Sequence, residues 1–137
     1  MRQARRRFDG GPRRSNVLVN VVVLGASDNP EKYSYLAVKF LKENGHTVFP
    51  VHPALKEIEG FKVYPSIKDI AGPIDTVSLY VSEEVSSKLA GDILSKFPKR
   101  IIFNPGAENP DLESKACQKG IRTLNACTLT MLKTHQF

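Results

Sequence analysis

"VVVLGASDNPEKYSYLAVKFLKENG", residues 21–45, decides the fold. A β-branched apolar run stops at Gly25 and small and polar residues follow. Apolar residues then recur at Tyr33, Leu36, Ala37, Phe40 and Leu41. The run predicts a buried strand over 17–24. The i, i+3, i+4, i+7, i+8 spacing is one face of a helix, and Asn44-Gly45 stops it. A strand that turns through a glycine into a helix leaves unpaired amides and a partial positive charge at the helix start, which suits a phosphate. Gly25 has no Cβ, so it can take a positive φ and let backbone approach a ligand closely.

The same alternation continues outward. "TVFPV", 47–51, reads as a second strand. "FKVYPS" is a short extended piece, and 66–70 a brief helical turn. "DTVSLYV", 75–81, reads as a third strand, followed by a helix that Ser82 can cap, with Glu83 and Glu84 in its first turn. Val85, Leu89, Ile93 and Phe97 form that helix's apolar stripe. "RIIF", 100–103, is a fourth strand. Asn109-Pro110 opens a further helix that ends at Gly120; a fifth strand over 121–124 and a last helix from 128 complete the chain. Strands joined through helices become parallel, with right-handed crossovers. The expectation is one α/β domain: an open, doubly wound, mainly parallel sheet of five strands. Such sheets hold ligands beyond the carboxyl ends of their strands. That selects the loops 25–34, 52–55, 81–84, 104–109 and 125–128.

Composition sets the outer limits. The chain has 137 residues, 41% hydrophobic and 25% charged, enough for a single core. Its net charge of +6 is uneven. Residues 1–16, "MRQARRRFDGGPRRSN", hold six arginines and one aspartate, which leaves 14 basic and 13 acidic residues for the body. Such a segment predicts a disordered basic tail, 1–16, whose deletion leaves the domain intact. Neither aromatic interleaving nor a basic helix face accompanies the tail to support a nucleic-acid site, so nucleic acid is not the expected partner. No apolar run approaches the length of a membrane span, and Asn20 interrupts the run that would mimic a signal peptide. Cys117 and Cys127 have no metal-ligand spacing and point to a reducing, cytoplasmic setting.

The phosphate signal has several possible owners. A dinucleotide site wants G-x-G-x-x-G and an acid closing the second strand. Here the loop reads Gly25-Ala26-Ser27-Asp28-Asn29-Pro30, and His52 stands where the acid would be. No G-K-[ST] pair supports nucleotide hydrolysis. The stretch "VLGASDNPEKYSYLAVKFLKENGHTVFPVHP", with "YPSI", "GPIDTVSLYV" and "NACTLTM", resembles the small standalone CoA-binding proteins, relatives of the CoA-binding domain of the succinyl-CoA synthetase alpha subunit. The resemblance spans roughly 17–133. It implies a Rossmann-like domain, 17–137, that holds CoA or an acyl-CoA by its phosphates and adenosine. By motif position, Gly25, Ala26 and Ser27 would line the phosphate loop, with Tyr33 and Ser34 opening the helix beside it. His52 and Pro53 would flank the adenosine and Lys56 reach a phosphate. Tyr80, Val81 and Ser82 would wall the other side, and Asn104 and Gly106 would meet the pantetheine. Many relatives carry a glutamine shortly before a glycine after the fourth strand; this chain reads "NPGAEN" there.

Nothing in the spacing marks a catalytic set. His46, His52 and His135 are scattered, and the chain offers no recognisable Ser-His-Asp arrangement. Cys127 begins a helix on a carboxyl-end loop, where a thiolate would be stabilised. The reading is a CoA or acyl-CoA binding module with no catalysis of its own evident and a small-molecule partner. The alternatives are an NAD(P)-linked or acyl-CoA transforming enzyme, and an interaction domain with a vestigial nucleotide pocket.

Overall fold

The computed structural model describes residues 17–137; the basic segment 1–16 lies outside the described residues. Five strands form one parallel sheet: β1 (Asn20–Leu24), β2 (Thr47–Val51), β5 (Thr76–Leu79), β6 (Arg100–Phe103) and β7 (Arg122–Asn125), in the order β2-β1-β5-β6-β7. Pro50 has no amide to give a neighbour, which suits β2 to the sheet edge. Two short strands, β3 (Glu57–Ile58) and β4 (Phe61–Lys62), pair as an antiparallel hairpin between β2 and β5. The hairpin is rooted on β2, where Tyr64 bridges Val51.

The helices are α1 (Tyr33–Glu43), α2 (Glu83–Ser95), α3 (Pro110–Gln118) and α4 (Thr128–Lys133), with a 3-10 turn at Ile67–Asp69. They cover both faces. Alternate strand residues point to opposite sides, and each side has its own core. Val22, Leu24, Val77, Leu79, Ile101 and Phe103 pack with Ala90 and Ile93 of α2 and Leu112 and Ala116 of α3. Val21, Val23 and Ile102 pack with Val38 and Leu41 of α1, Leu132 of α4 and Ile58 of the hairpin. This is the doubly wound, Rossmann-like architecture expected from the alternation. The sheet continues to opposite sides from β1, so the crevice falls between β1 and β5.

Two helix faces differ from their apolar stripes. On α1 the buried positions are Ser34, Ala37, Val38 and Leu41, while Tyr33 is 67% exposed. Small Ser34 and Ala37 let the helix approach the sheet; bulky Tyr35 and Phe40 flank the contact. On α2 the buried positions are Ser86, Ala90, Ile93 and Leu94. Phe97 lies beyond the helix end at φ 46° and is 63% exposed. In both helices the largest apolar residues marked the stripe, but the face is centred where side chains are small enough to pack. The caps follow the sequence: Ser82 Oγ accepts from Val85 N at 3.3 Å, and Asn109 Oδ1 accepts from Leu112 N at 3.0 Å. The last helix stops at Lys133.

Candidate functional site

Gly25 leaves β1 with φ +92°, a left-handed conformation that glycine adopts freely. A Cβ there would lie 2.7 Å from Val81 Cγ1 and 3.1 Å from the Tyr80 carbonyl. The glycine is therefore needed where the loops after β1 and β5 touch, and its missing side chain makes room for protein. The amides of Gly25 and Ala26 both donate to the Val51 carbonyl, at 3.2 and 3.1 Å. Ser27 Oγ accepts from Asn29 N, and Asn29 Oδ1 from Glu31 N, each at 3.0 Å. These bonds shape the loop and deliver the chain to α1.

At α1 the pattern changes. Lys32 precedes the helix and makes no side-chain cap. The amides of Tyr33, Ser34 and Tyr35 meet no acceptor among the described residues. They open beside a cleft of about 450 Å³ lined by Glu31, Lys32, Tyr33, Ser34 and Tyr80. Unpaired helix-start amides with a lysine alongside can receive an anion. Next to this cradle, across Tyr80-Val81, lies an apolar slot of about 270 Å³. Leu24, Gly25 and Val51 form its floor, Pro53, Pro65 and Ile67 one wall, and Val81, Val85 and Leu89 the other.

His52 stands at the carboxyl end of β2. Its Nδ1 accepts from Ala54 N at 3.0 Å and Leu55 N at 3.2 Å. A ring nitrogen that accepts carries no proton, so the proton of the neutral ring is on Nε2. The residue thereby folds the 52–55 turn and carries Pro53 to the slot. Lys56 is exposed on the same rim.

The loop after β6 is built differently. Asn104 is buried, and its Nδ2 donates to Ser78 Oγ at 2.9 Å and to the Leu79 carbonyl at 2.8 Å. Its Oδ1 accepts from Thr128 N at 2.8 Å, and Ser78 Oγ meets Thr128 Oγ1 at 2.8 Å. Both amide protons of Asn104 are thus committed to tying β5, β6 and the start of α4 together. Gly106 has φ +91°, and its amide donates to Glu108 Oε1 at 3.0 Å. The Tyr80 hydroxyl is buried beside this network, close to the Ser78 and Thr128 hydroxyls, and makes no hydrogen bond of good geometry among the described residues. Burial pushes its pKa up to about 12.

A parallel sheet with its cleft at the crossover between β1 and β5 has a match among known proteins. The CoA binding domain model covers residues 19–133. This chain belongs to the CoA-binding domain family. The CoA-binding domain is 34% identical over 100 residues to YneT of Bacillus subtilis, across 73% of this chain and 74% of that one. It is 29% identical over 126 residues to the alpha subunit of an ADP-forming acetate–CoA ligase II of Pyrococcus furiosus. That match takes in 84% of this chain but 28% of the ligase subunit, so the chain spans under a third of that relative. The crystal structure of an uncharacterised protein superposes with a TM-score of 0.84 at 38% identity, over 89% of this chain and 100% of the other. A hypothetical protein from Pyrococcus horikoshii OT3 gives 0.81 at 29% identity, over 88% and 86%.

Within the CoA-binding domain, the fold brings Tyr33, Ser34 and Tyr80 together at the cradle and Gly25, Pro53 and Val81 at the slot. It keeps Ser82 as the cap of α2 and Asn104 inside the buried network. Sequence reasoning missed Lys32 at the cradle and Pro65, Ile67, Val85 and Leu89 at the slot. "YPSI" was the available signal for the first wall; Val85 and Leu89 read as core because they fall on the α2 stripe. Among the described residues no helix is long and apolar enough to cross a membrane, and no group of three His, Cys, Asp or Glu could hold a metal ion.

Proposed function

We propose that this chain binds CoA or an acyl-CoA as a small-molecule ligand, with the phosphates at the start of α1 and the adenine in the neighbouring slot. One observation carries the reading: three unpaired amides stand at an uncapped helix start beside a cleft that Tyr80 lines, and the next residue, Val81, lines an apolar slot. The amides and Lys32 suit a pyrophosphate, and the proline- and aliphatic-lined slot suits a flat ring. Family membership supports the same ligand. Ser27, Tyr33, Ser34 and Tyr80 border the phosphates in this reading. His52, Pro53, Lys56 and Val81 border the adenosine. Gly25, Ala26 and Ser82 set the loop backbones, and Asn104 and Gly106 shape the side along which the pantetheine runs. His52 at the end of β2 disfavours the bare ribose diol of NAD, which an acid would hold. Both cysteines are free thiols, which supports a reducing, cytoplasmic setting.

A thermal-shift panel with CoA, acetyl-CoA, NAD, NADP and ATP tests the proposal. A ligand that binds only the folded state adds about 2.7 kcal/mol at 100 times its Kd. CoA or acetyl-CoA should raise the melting temperature more than NAD does. An equal or larger shift with NAD would sink the CoA reading and favour a dinucleotide enzyme.

A further inference from the structure

The hairpin tip is locally expensive. Glu59 and Gly60 form its two-residue turn, with φ of 52° and 85°. Two central residues at positive φ are the hallmark of a type I′ turn, where Asn-Gly or Gly-Gly is preferred. A glutamate incurs a steric penalty in the left-handed region that glycine does not. Such outliers persist where surrounding contacts hold them, and they concentrate at functional sites.

Two residues of α1 hold Glu59. The Tyr35 hydroxyl donates to Glu59 Oε2. Lys42 Nζ donates to the Glu59 carbonyl at 2.8 Å and lies 3.9 Å from Oε1. Tyr35 is the third residue of α1, and its amide is one of the three unpaired amides at the cradle. The hairpin, in turn, sits inside the 52–67 segment. That segment supplies the His52–Lys56 rim at one end and the Pro65–Ile67 wall of the slot at the other. The tip of the slot-side segment is therefore fastened to the first turn of the phosphate-side helix.

We propose that Tyr35, Glu59 and Lys42 form a latch that positions the α1 amides against the adenosine slot, so that one ligand can engage both. The side chains of Tyr35 and Glu59 are positioning groups; neither side chain touches the ligand. The inference rests on the CoA reading above and adds to it a residue set that governs affinity from outside the site. Packing of Ile58 and Val63 against α1 and the sheet holds the hairpin in place, and the latch fixes where its tip pulls on the helix.

Glu59→Gly separates this role from a merely structural one. Glycine is comfortable at φ 52°, so the turn survives and Lys42 keeps its bond to the residue-59 carbonyl, while the bond from Tyr35 and the ion pair with Lys42 are lost. Calorimetric titration of CoA into the full chain should show binding about five- to tenfold weaker in Glu59→Gly, as loss of a charge-assisted hydrogen bond implies. The melting temperature of the unliganded protein should stay within a few degrees of wild type. Tyr35→Phe breaks the same bond from the helix side and should weaken CoA to a similar extent. Glu59→Gln still offers Tyr35 an acceptor and should restore most of the affinity. Wild-type affinity in both Glu59→Gly and Tyr35→Phe overturns the latch while leaving the CoA reading intact. So does a fall in unliganded stability in both variants with CoA affinity kept. Absence of CoA binding by the wild-type chain overturns the CoA reading itself.

Discussion

Two loops at the carboxyl edge of the sheet began with the same expectation and have opposite constructions. The segment after β1 leads to a helix with no cap, and the first amides of α1 remain open to the cleft. The segment after β6 is knitted shut: Asn104 reaches Ser78, Leu79 and Thr128 within one buried network. The difference teaches that what a loop can offer a ligand is the hydrogen-bonding groups it has left over, and that polarity alone does not measure them. Asn104 is the more polar side chain, yet its donors already have acceptors. The start of α1 carries polar side chains too, Lys32 and Ser34 among them, but what sets it apart is a backbone that still has donors to give.

Mutations should separate the two sides. The largest effect is expected from Gly25→Val, which forces a side chain into φ +92° and against Val81 and Tyr80. Strain and overpacking together should cost about 2–5 kcal/mol in chemical denaturation, with CoA binding lost. A stable Gly25→Val protein that has lost only its ligand would mean that the loops can part there, contrary to the tight contact. Asn104→Ala comes next. It leaves the buried Thr128 amide without its acceptor, which should cost about 2–3 kcal/mol. CoA affinity, compared well below the melting temperature, should change little; a loss beyond tenfold would make Asn104 a ligand residue and erase the contrast.

Tyr80→Phe should act in the other direction. Removing a buried hydroxyl with no partner should be neutral or stabilise by up to about 1 kcal/mol, read as a higher denaturation midpoint. A clear destabilisation would show that the hydroxyl is paired after all. The smallest effect, visible only in reactivity, concerns Cys127. Burial alone would push this thiol up. Hydrogen bonds from the Thr130 side chain and the Thr130 and Leu129 amides, with the Lys133 charge, bring it below its ordinary value. Alkylation by iodoacetamide should therefore rise with pH through a midpoint lower than that of the same thiol in the urea-unfolded protein. The thiolate is favoured in the native state, so its contribution to stability is present above the unfolded value and is lost as pH falls through the folded one. With oxidised CoA, attack by this thiolate would form a mixed disulfide and release one CoA thiolate. Intact mass of Cys127→Ser and Cys117→Ser shows which cysteine carries the adduct; an adduct on Cys117 alone would place the ligand's thiol end away from α4.

Much of this molecule is legible in its sequence because periodicity is local. The β2 and β6 spans coincide with the runs "TVFPV" and "RIIF". The Ser82 and Asn109 caps follow from residues three positions apart. The β3–β4 hairpin is less visible, since strands of two residues carry no period and its turn holds a glutamate where glycine or asparagine would have announced it. The slot was hidden for another reason. Val85 and Leu89 share their spacing with the buried stripe of α2, and a repeat cannot say whether an apolar residue faces a neighbour or a vacancy.

By itself the sequence determined the alternation of strands and helices and the parallel sheet that follows from it, and it pointed to the carboxyl edge as the expected place for a ligand. These rest on backbone geometry, handedness and hydrophobic period, all properties of short stretches of chain. Only the tertiary structure decided which donors at that edge remain unpaired. The Gly25 and Ala26 amides turn to Val51, the Asn104 amide turns to Ser78 and Leu79, and the Tyr33–Tyr35 amides turn to no acceptor among the described residues. The acceptors that take the first two sets come from other strands, up to 26 residues away in the chain. Hydrogen bonding depends on distance and direction in space, and no local pattern carries that information.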